Sequence, residues 1–305
     1  MNSASSFRSL ARLTRLAPLA VLSSALLLLA APHAALANCS RPIVVPASSL
    51  GKMVVVDEAT GEVSGIYPEL LRRKGSAVGC SFEFRIASRA RADLMFQNGE
   101  ADLLVAAPQI AERQQWSRYV PMVRVEWLLV STGSGPLPQT SAELAAMPGI
   151  RFNAVNGYNY GRGYSELLRQ LREQGKLELV ANPEIIAKKM LAGRADFTFM
   201  PSNTFAGALD RLHVDPSRRE QFQYSRLKDV PASTSGVYVS RQLNAADTQI
   251  LVGVLNEIRA EGSILERATA AYSKREMSSL SALPAKEPGL ALKPSHAAAA
   301  SRAPK

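Results

Sequence analysis

Short apolar runs alternate with segments of helical periodicity through the middle of the chain. The runs are rich in Val, Ile, Leu and Phe, which is typical of buried strands. We predict strands at residues 43–46, 82–86, 103–107, 126–130, 150–155, 177–180, 197–200 and 236–240. Between them, apolar residues recur every three or four positions, most clearly in the stripe from Ile250 to Ile258. This alternation of strands and helices indicates an α/β architecture.

One short motif occurs twice in the chain. Residues 99–102 read Gly-Glu-Ala-Asp and residues 193–196 read Gly-Arg-Ala-Asp, each between a predicted helix and a predicted strand. Both halves of the chain therefore use a helix–Gly–x–Ala–Asp–strand unit. The stretch at 131–136, Ser-Thr-Gly-Ser-Gly-Pro, breaks both periodicities and predicts a crossing between the halves.

The first 37 residues have the pattern of an export signal. Arg8, Arg12 and Arg15 precede an apolar run over residues 19–31, which is too short to span a bilayer. Small residues at positions 35 and 37 predict a signal peptide cleaved after Ala37 and a periplasmic mature protein. Two alternatives stay open. One is an uncleaved signal anchor, and the other is a lipoprotein attached through the following cysteine.

The net charge narrows the choice of partner. The chain has 36 Lys and Arg against 26 Asp and Glu, a formal charge of +10. The signal peptide contains three arginines and no acidic residue, so its removal lowers the charge from +10 to +7. In an exported protein this excess favours an anionic ligand or the anionic cell envelope over nucleic acid. A merely solvated basic surface is the remaining alternative.

Two cysteines, Cys39 and Cys80, each precede a predicted strand. In an oxidising compartment, a single pair of cysteines predicts one disulfide if the two strands are neighbours in a sheet. The alternatives are two free thiols, or lipidation of Cys39.

Residues 99–123 carry a resemblance to a known family. A Gly-x-x-Asp motif before an apolar strand is followed by Glu-Arg, ending at Arg113, and then by Tyr-Val-Pro. The segment resembles the G-x-x-D … E-R … F-S-x-P-Y pattern of periplasmic solute-binding proteins of family 3, the polar amino-acid type that serves ABC transporters. Residues 65–66 (Gly-Ile) and 148–152 (Pro-Gly-Ile-Arg-Phe) also resemble the family, and the resemblance covers most of residues 41–275.

The resemblance implies an α/β, two-lobed periplasmic-binding-protein-like fold of type II, with the ligand cleft between the lobes. The lobes would be joined by crossings near residues 130–135 and 230–235. A tail rich in Ala, Pro, Ser and Lys lacks core-forming residues and is predicted to be disordered. The resulting division is a signal peptide at 1–37, a first lobe at 38–130 plus 236–280, a second lobe at 131–235 and the tail at 281–305.

Three arginines are candidate ligand-binding residues. Arg113 leads, because the family clamps the ligand carboxylate with the arginine at this position, and guanidinium is a permanent, bidentate cation. The alternative is a surface arginine paired with Glu112. Arg89 and Arg91 lie where a strand gives way to a helix and would add positive potential at the cleft. A solvated helix start is their alternative.

A Gly-rich turn supplies further candidates from the second half of the chain. The candidates in this turn are Asn156, Gly157 and Tyr158. Glycine permits a ligand to approach the backbone closely, and free backbone amides at the start of the following helix attract anions. An ordinary turn is the alternative. Ser202 and Asn203, just after the strand at 197–200, complete the candidate set.

The chain departs from the family at three places. The interval from Asp102 to Arg113 is one residue shorter than the family's. Pro201 stands near the position at which amino-acid binders hold the ligand ammonium with an aspartate. Residues 47–50 (Ala-Ser-Ser-Leu) replace the aromatic lid of the first loop. These departures argue against an ordinary α-amino acid as ligand.

Enzyme signatures are sparse, since only His213 lies outside the signal peptide and the tail. Without a second histidine, a Ser–His–Asp triad or a His-rich metal site is hard to build. We therefore predict a monomeric, non-catalytic binding protein without metal or cofactor, which delivers a small carboxylate-bearing solute to an inner-membrane permease. A periplasmic sensor or partner-recognition module is the alternative, and a dehydratase-like lyase on the same fold is a weaker one.

Overall fold

The computed structural model describes residues 38–133 and 135–284. The predicted signal-peptide cleavage after Ala37 and most of the predicted tail lie outside the described residues. Ser281, where the sequence division begins the tail, forms a strand pair with Arg124. No helix in the described part of the chain combines the length and the apolar character needed to cross a membrane.

Strands and helices alternate along most of the described chain. The strands are β1 (Ile43–Ala47), β2 (Val55–Val56), β3 (Val63–Ser64), β4 (Phe82–Ile86), β5 (Leu103–Pro108), β6 (Ser117–Val125), β7 (Leu128–Ser131), β8 (Phe152–Val155), β9 (Leu177–Val180), β10 (Phe197–Met200), β11 (Gln223–Ser225), β12 (Ser233–Ser240) and β13 (Leu280–Ser281). The α-helices are α1 (Ile66–Ser76), α2 (Arg89–Gln97), α3 (Ser141–Ala146), α4 (Arg162–Glu173), α5 (Pro183–Leu191), α6 (Ser202–Arg211), α7 (Pro216–Arg219), α8 (Ala245–Ala260) and α9 (Ser263–Ala271).

The first lobe is built on an antiparallel sheet and a parallel strand pair. The sheet has the order β13-β6-β12-β5, and β1 pairs in parallel with β4. The two are joined where the Asp102 amide donates to the carbonyl of Val44, beside the start of β5. Leu70 and Leu71 of α1 and Leu251 of α8 pack into the same core and are fully buried. Apolar stripes at helical spacing therefore cover this face of the sheet, as the sequence predicts.

The second lobe is built on a mixed sheet with the order β11-β7-β10-β8-β9. β8 pairs in parallel with β9 and β10, whereas β7 runs antiparallel to β10. Separate apolar cores include Leu167 of α4 and Ile186 of α5. β10 is buried along its whole length, which explains its continuous apolar sequence.

The chain changes sheet earlier than the sequence pattern indicates. The expected crossing near residues 130–135 is not where the sheets separate, because β7 already pairs with β10 and β11. The change falls at Glu126 and Trp127, between β6 and β7. The Gly- and Ser-rich stretch instead follows β7. The return strand β12 begins at Ser233, three residues before the expected first-lobe boundary at 236.

The last described residues bridge both lobes. We call residues 278–281 the C-terminal strap. Leu280 pairs with Val125 of β6, and the carbonyl of Ser279 accepts from the amide of Glu126 at 2.8 Å. The Ser279 hydroxyl accepts from the amide of Ser202 at 3.0 Å, at the start of α6. The strap therefore runs beside the point at which the chain changes sheet.

The repeated Gly-x-Ala-Asp unit forms the same contact in both lobes. Asp102 receives both Arg41 guanidinium nitrogens at 2.7 Å, and the amide of Val44 donates to it at 2.8 Å. Asp196 receives the backbone amide of Arg151 at 2.8 Å and its guanidinium at 2.5 and 3.0 Å. Each aspartate thus ties the start of its own strand to the start of a neighbouring strand.

The predicted disulfide is present. Cys39 and Cys80 are bonded, with Cα atoms 4.8 Å apart, just before the parallel neighbours β1 and β4. The bond closes a loop with a sequence separation of 41 residues, and such a cross-link stabilises the fold mainly by restricting the unfolded chain.

Candidate functional site

A cavity lies between the two lobes, with an empty volume of about 650 Å³ that includes its mouth. Clefts between two lobes are common binding places for small-molecule ligands. Its walls come from strand ends and helix starts of both lobes. The lining residues are Ser48, Leu50, Met53, Tyr67, Arg89, Ala106, Pro108, Val123, Val125, Trp127, Tyr158, Asn159, Tyr160, Pro201, Asn203, Thr204, Ser235 and Leu280.

Close backbone contacts join the two lobes beside residues that line this cavity. A Cβ atom on Gly157 would lie 2.6 Å from the amide nitrogen of Ala90, across the cleft. A Cβ atom on Gly207 of α6 would overlap the Cα atom of Gly51. Because only glycine permits these approaches, the two positions allow the lobes to meet backbone to backbone.

Arg89 is the cation that lines the cavity. It opens α2, whose N-cap Ser88 accepts from the amide of Arg91. The Arg89 side chain is only 10% exposed, and its Nε lies 4.0 Å from a carboxylate oxygen of Asp93 one turn along the helix. Its Nη2 is buried and has no hydrogen-bond partner among the described residues. A buried guanidinium donor without a partner is costly, so this nitrogen is a candidate for receiving a ligand acceptor.

Arg113, the leading sequence candidate, lies in a different environment. It sits in a 3₁₀ turn (Ala111–Gln115) and is 5% exposed, but it does not line the cavity. Its Nη2 donates to both oxygens of Asp93 at 2.7 Å, and its guanidinium lies 5.5 Å from the ring centre of Tyr238. Burial, and then repulsion from Arg89, lower its pKa below the usual value. Asp93 thus holds Arg113 and lies beside Arg89.

The remaining sequence candidates divide between the cavity and other places. Arg91 is 54% exposed and pairs with Glu100 on the surface. Asn156 is exposed, and its amide donates to the carbonyl of Val180. Ser202 is fully buried, but it bonds to the C-terminal strap instead of lining the cavity. The structure therefore does not bring these three side chains to the cavity wall.

Tyr158 and Asn203 do line the cavity. Burial raises the pKa of Tyr158 to about 12, although the positive charges of Arg89 and Arg211 oppose this shift. Its hydroxyl is therefore neutral at physiological pH and available as a donor. Asn203 is 2% exposed and lies near the start of α6. The turn after β8 and the start of α6 thus each supply one cavity residue.

An aromatic wall lines the cavity, and its Trp127 is the main residue that sequence reasoning missed. The rings of Trp127 and Tyr160 stack with centres 4.0 Å apart and planes at 16°. The Trp127 indole nitrogen and the Tyr160 hydroxyl are both buried without a described hydrogen-bond partner. Trp127 lies directly at the change of sheet, and no sequence motif marks it.

Ala106 marks a second unpredicted feature. It lines the cavity with a φ of +48°, and the pairing of β5 with β12 shifts register beside it. A bulge of this kind redirects the strand end, and such conformations cluster at functional sites. No sequence signal at an alanine indicates it.

No protein-family model matches the chain, and no curated protein matches it. Solved structures match in fold. An ancestral arginine-binding protein bound to arginine is 15% identical, with a TM-score of 0.60 over 76% of this chain and 98% of that one. A putative L-cystine ABC transporter structure from Listeria monocytogenes is 18% identical, with a TM-score of 0.56 over 77% and 98%.

The chain has the periplasmic-binding-protein fold. A histidine kinase sensor domain, described as similar to periplasmic binding proteins, shares this fold at 17% identity and a TM-score of 0.55, over 77% of this chain and 93% of that domain. The two-lobed α/β fold predicted from the sequence is confirmed, and the cavity lies in its interlobe cleft. At these identities the likeness establishes the fold alone.

Proposed function

We propose that this protein binds a small carboxylate-bearing solute in the interlobe cavity and releases it unchanged. The observation that carries the proposal is Arg89, a nine-tenths buried guanidinium that lines the cavity with an unpartnered Nη2. A carboxylate fits such a group in charge and geometry.

The charge balance around Arg89 supports an anionic ligand. Asp93 is the acidic neighbour that Arg89 and Arg113 share in the described structure, so two buried cations face one carboxylate. The local excess of one positive charge favours an incoming anion. In this arrangement Arg113 acts through Asp93, whose position it fixes, and Arg89 contacts the ligand. We therefore propose Arg89, instead of Arg113, as the residue that contacts the ligand carboxylate.

We place this function in the periplasm, after cleavage at Ala37, in a monomer without cofactor. The proposed first lobe carries β1–β6 and β12, and the proposed second lobe carries β7–β11. A ligand that contacts both lobes stabilises the closed form, and the closed surface is what a membrane partner would recognise. Delivery to an inner-membrane ABC permease is the partner reaction we propose.

A periplasmic sensor is the second candidate function. The likeness to the histidine kinase sensor domain favours it, because that protein is described as a sensor domain and has this fold. Loss of uptake of a bound solute in a deletion strain would favour transport. Unchanged uptake together with loss of a solute-induced transcriptional response would favour sensing.

The binding proposal is tested by comparing three arginines. A thermal-shift screen of mature protein against amino acids, dicarboxylates and aromatic acids identifies a carboxylate, because a ligand that binds only the folded state raises its melting temperature. Calorimetry with that carboxylate should show a loss of about 2–5 kcal/mol in Arg89→Ala, with partial recovery in Arg89→Lys.

Arg91→Ala is the matched control. It removes a guanidinium from the same helix at an exposed, ion-paired position and should leave affinity unchanged. Arg113→Ala should weaken binding less than Arg89→Ala and should also lower thermal stability. Full affinity in a folded Arg89→Ala protein would remove Arg89 from the site and restore Arg113 as the contact.

A further inference from the structure

The cavity lining is rich in hydrogen-bond donors and poor in negative acceptors. Among the described lining residues Arg89 is charged, and no aspartate or glutamate is present. The Arg89 Nη2 and the Trp127 Nε1 are buried without partners, and both are donors only. The Tyr160 hydroxyl, also unpartnered, serves in either role. A bound molecule therefore has to supply acceptors.

The amide oxygens of the lining are already engaged. Asn159 Oδ1 accepts from the amide of Gly161 at 2.8 Å, and Asn203 Oδ1 accepts from the Ser279 hydroxyl at 3.4 Å. A ligand ammonium group carries three donors and needs acceptors, preferably anionic ones. Placed one carbon away from a carboxylate on Arg89, it would also meet a like charge. Burial of a charge without a partner is strongly unfavourable.

The rest of the lining consists of apolar side chains and of neutral hydroxyl groups, those of Ser48, Tyr67, Tyr158, Thr204 and Ser235. Aliphatic side chains of both lobes and of the C-terminal strap face the same space as the Trp127 and Tyr160 rings. They are Leu50, Met53, Val123, Val125 and Leu280. Removing apolar surface from water against such a wall contributes roughly 25 cal/mol per Å². The site thus combines one cation and several neutral polar groups with a large apolar surface, and it contains no acidic side chain among the described lining residues.

We propose that the ligand is a monocarboxylic acid with an aliphatic or aromatic body and without an ammonium group. This inference rests on the proposed function and specifies its ligand class. The carboxylate occupies Arg89, with the indole N–H of Trp127 as a second donor. The carbon body fills the aliphatic and aromatic part of the cavity.

Matched compounds test this class directly. Calorimetry on mature protein compares 3-phenylpropanoate with L-phenylalanine, and 4-methylpentanoate with L-leucine, so that each pair differs by the ammonium group alone. Succinate and 3-phenylpropan-1-ol complete the panel. We expect each deaminated acid to bind at least about tenfold more tightly than its amino acid, because the ammonium loses its hydration without gaining an anionic partner.

The outcomes separate this inference from the proposed function. Equal or tighter binding of an amino acid would overturn the ligand class, while carboxylate binding as such would stand. Selective binding of succinate would overturn the prediction that the ligand has an apolar body, while carboxylate binding as such would again stand. Tighter binding of the alcohol, or no binding of any carboxylate at millimolar concentration, would overturn both proposals.

A variant tests the second donor. Trp127→Phe keeps an aromatic ring but deletes the N–H, so binding of 3-phenylpropanoate should weaken by roughly threefold to tenfold. Binding of 3-phenylpropan-1-ol, whose weaker interaction depends on the ring, should change less. Unchanged affinity for the acid in a folded Trp127→Phe protein would remove the indole from the carboxylate site.

Discussion

The two Gly-x-Ala-Asp units are alike where their strands begin and different where their strands end. At the start, Asp102 and Asp196 each bind the arginine that precedes a neighbouring strand. At the end, β5 passes through the bulge at Ala106, whereas β10 leads through Pro201 directly into α6. The starts of the two strands, which are alike, lie away from the cavity. The ends of the two strands, which differ, line it.

This difference separates the residues that shape the fold from those that select a ligand. An ion pair at the start of a strand fixes which strand lies beside which, and both lobes need that. The strand ends meet across the cleft and must be complementary to a ligand, so the two lobes differ there. Ligands of open α/β sheets bind at the carboxyl ends of strands for the same topological reason.

Removing the two aspartates should give unequal losses of stability. The Asp102 side chain is 6% exposed and the Asp196 side chain is 33% exposed. Asp102→Ala should cost about 2 kcal/mol, because it leaves the buried Val44 amide unpaired, whereas the half-exposed Arg41 guanidinium can turn to water. Asp196→Ala should cost about 1 kcal/mol, because solvent screens its ion pair.

Urea denaturation of both variants measures this difference. Glu100→Ala, inside the first unit but on the surface, is the control and should have little effect. Equal losses for Asp102→Ala and Asp196→Ala would show that burial does not distinguish the two units.

Shortening the chain through the C-terminal strap should also affect stability. A protein that ends at Met277 loses the strand pair with β6, the Ser279 contacts and the partly buried Leu280, and should lose about 2–3 kcal/mol. A protein that ends at Pro284 keeps these contacts and should unfold like the full mature chain. Chemical denaturation compares the two. Equal stability would show that the strap does not stabilise the fold.

Exchange of one atom at the second-lobe strand end should shift ligand preference. Asn203→Asp keeps the shape of the side chain but adds a negative charge to the cavity lining. The preference for 3-phenylpropanoate over L-phenylalanine should fall by about fivefold to tenfold, or about 1 kcal/mol. The control is Asn156→Asp, an exposed change of the same chemistry. A preference unchanged by Asn203→Asp would show that this position does not face the ligand body.

Lowering the pH should slightly reduce the contribution of Asp196 to the stability of the fold. The hydrogen bonds from Arg151 hold the pKa of Asp196 below its usual value. Because the folded pKa is depressed, this contribution is present above the unfolded pKa of about 3.9 and is lost as pH falls through the folded pKa. Partial exposure limits the effect to below about 1 kcal/mol.

Asp196→Asn isolates that contribution. Between pH 5 and pH 3, the variant should lose less stability than the wild-type protein, as measured by urea denaturation at each pH. A parallel pH dependence in both proteins would show that Asp196 does not contribute in this range.

The sequence pattern predicted the strands that are buried on both faces, because a short continuous apolar run is typical of a buried strand. It missed β6, whose Arg118 and Arg124 are exposed and whose centre holds Pro121. It also missed α6, because eight of its ten residues are buried and no polar face reveals a helical period. Burial on all sides removes the contrast on which periodicity depends.

The candidate site was predictable only in outline. Arg89 and Arg91 are two residues apart, so on a helix they point about 200° apart and only one can face the cleft. The sequence does not say which one. The position of Arg113 depends on Asp93, twenty residues away, and this side-chain pairing has no signature in a linear motif. The aromatic wall likewise joins Trp127 to Tyr160, which lie far apart in the chain.

The position of the C-terminal strap determines where a fluorescent label can report movement of the lobes. It lies beside the change of sheet and touches both lobes, so a label placed in it would sit near any axis about which the lobes move. A fluorophore fused there would report little, since points near an axis hardly travel. A pair of dyes on exposed positions far from the strap, one on each lobe, would convert the same motion into a large change in distance.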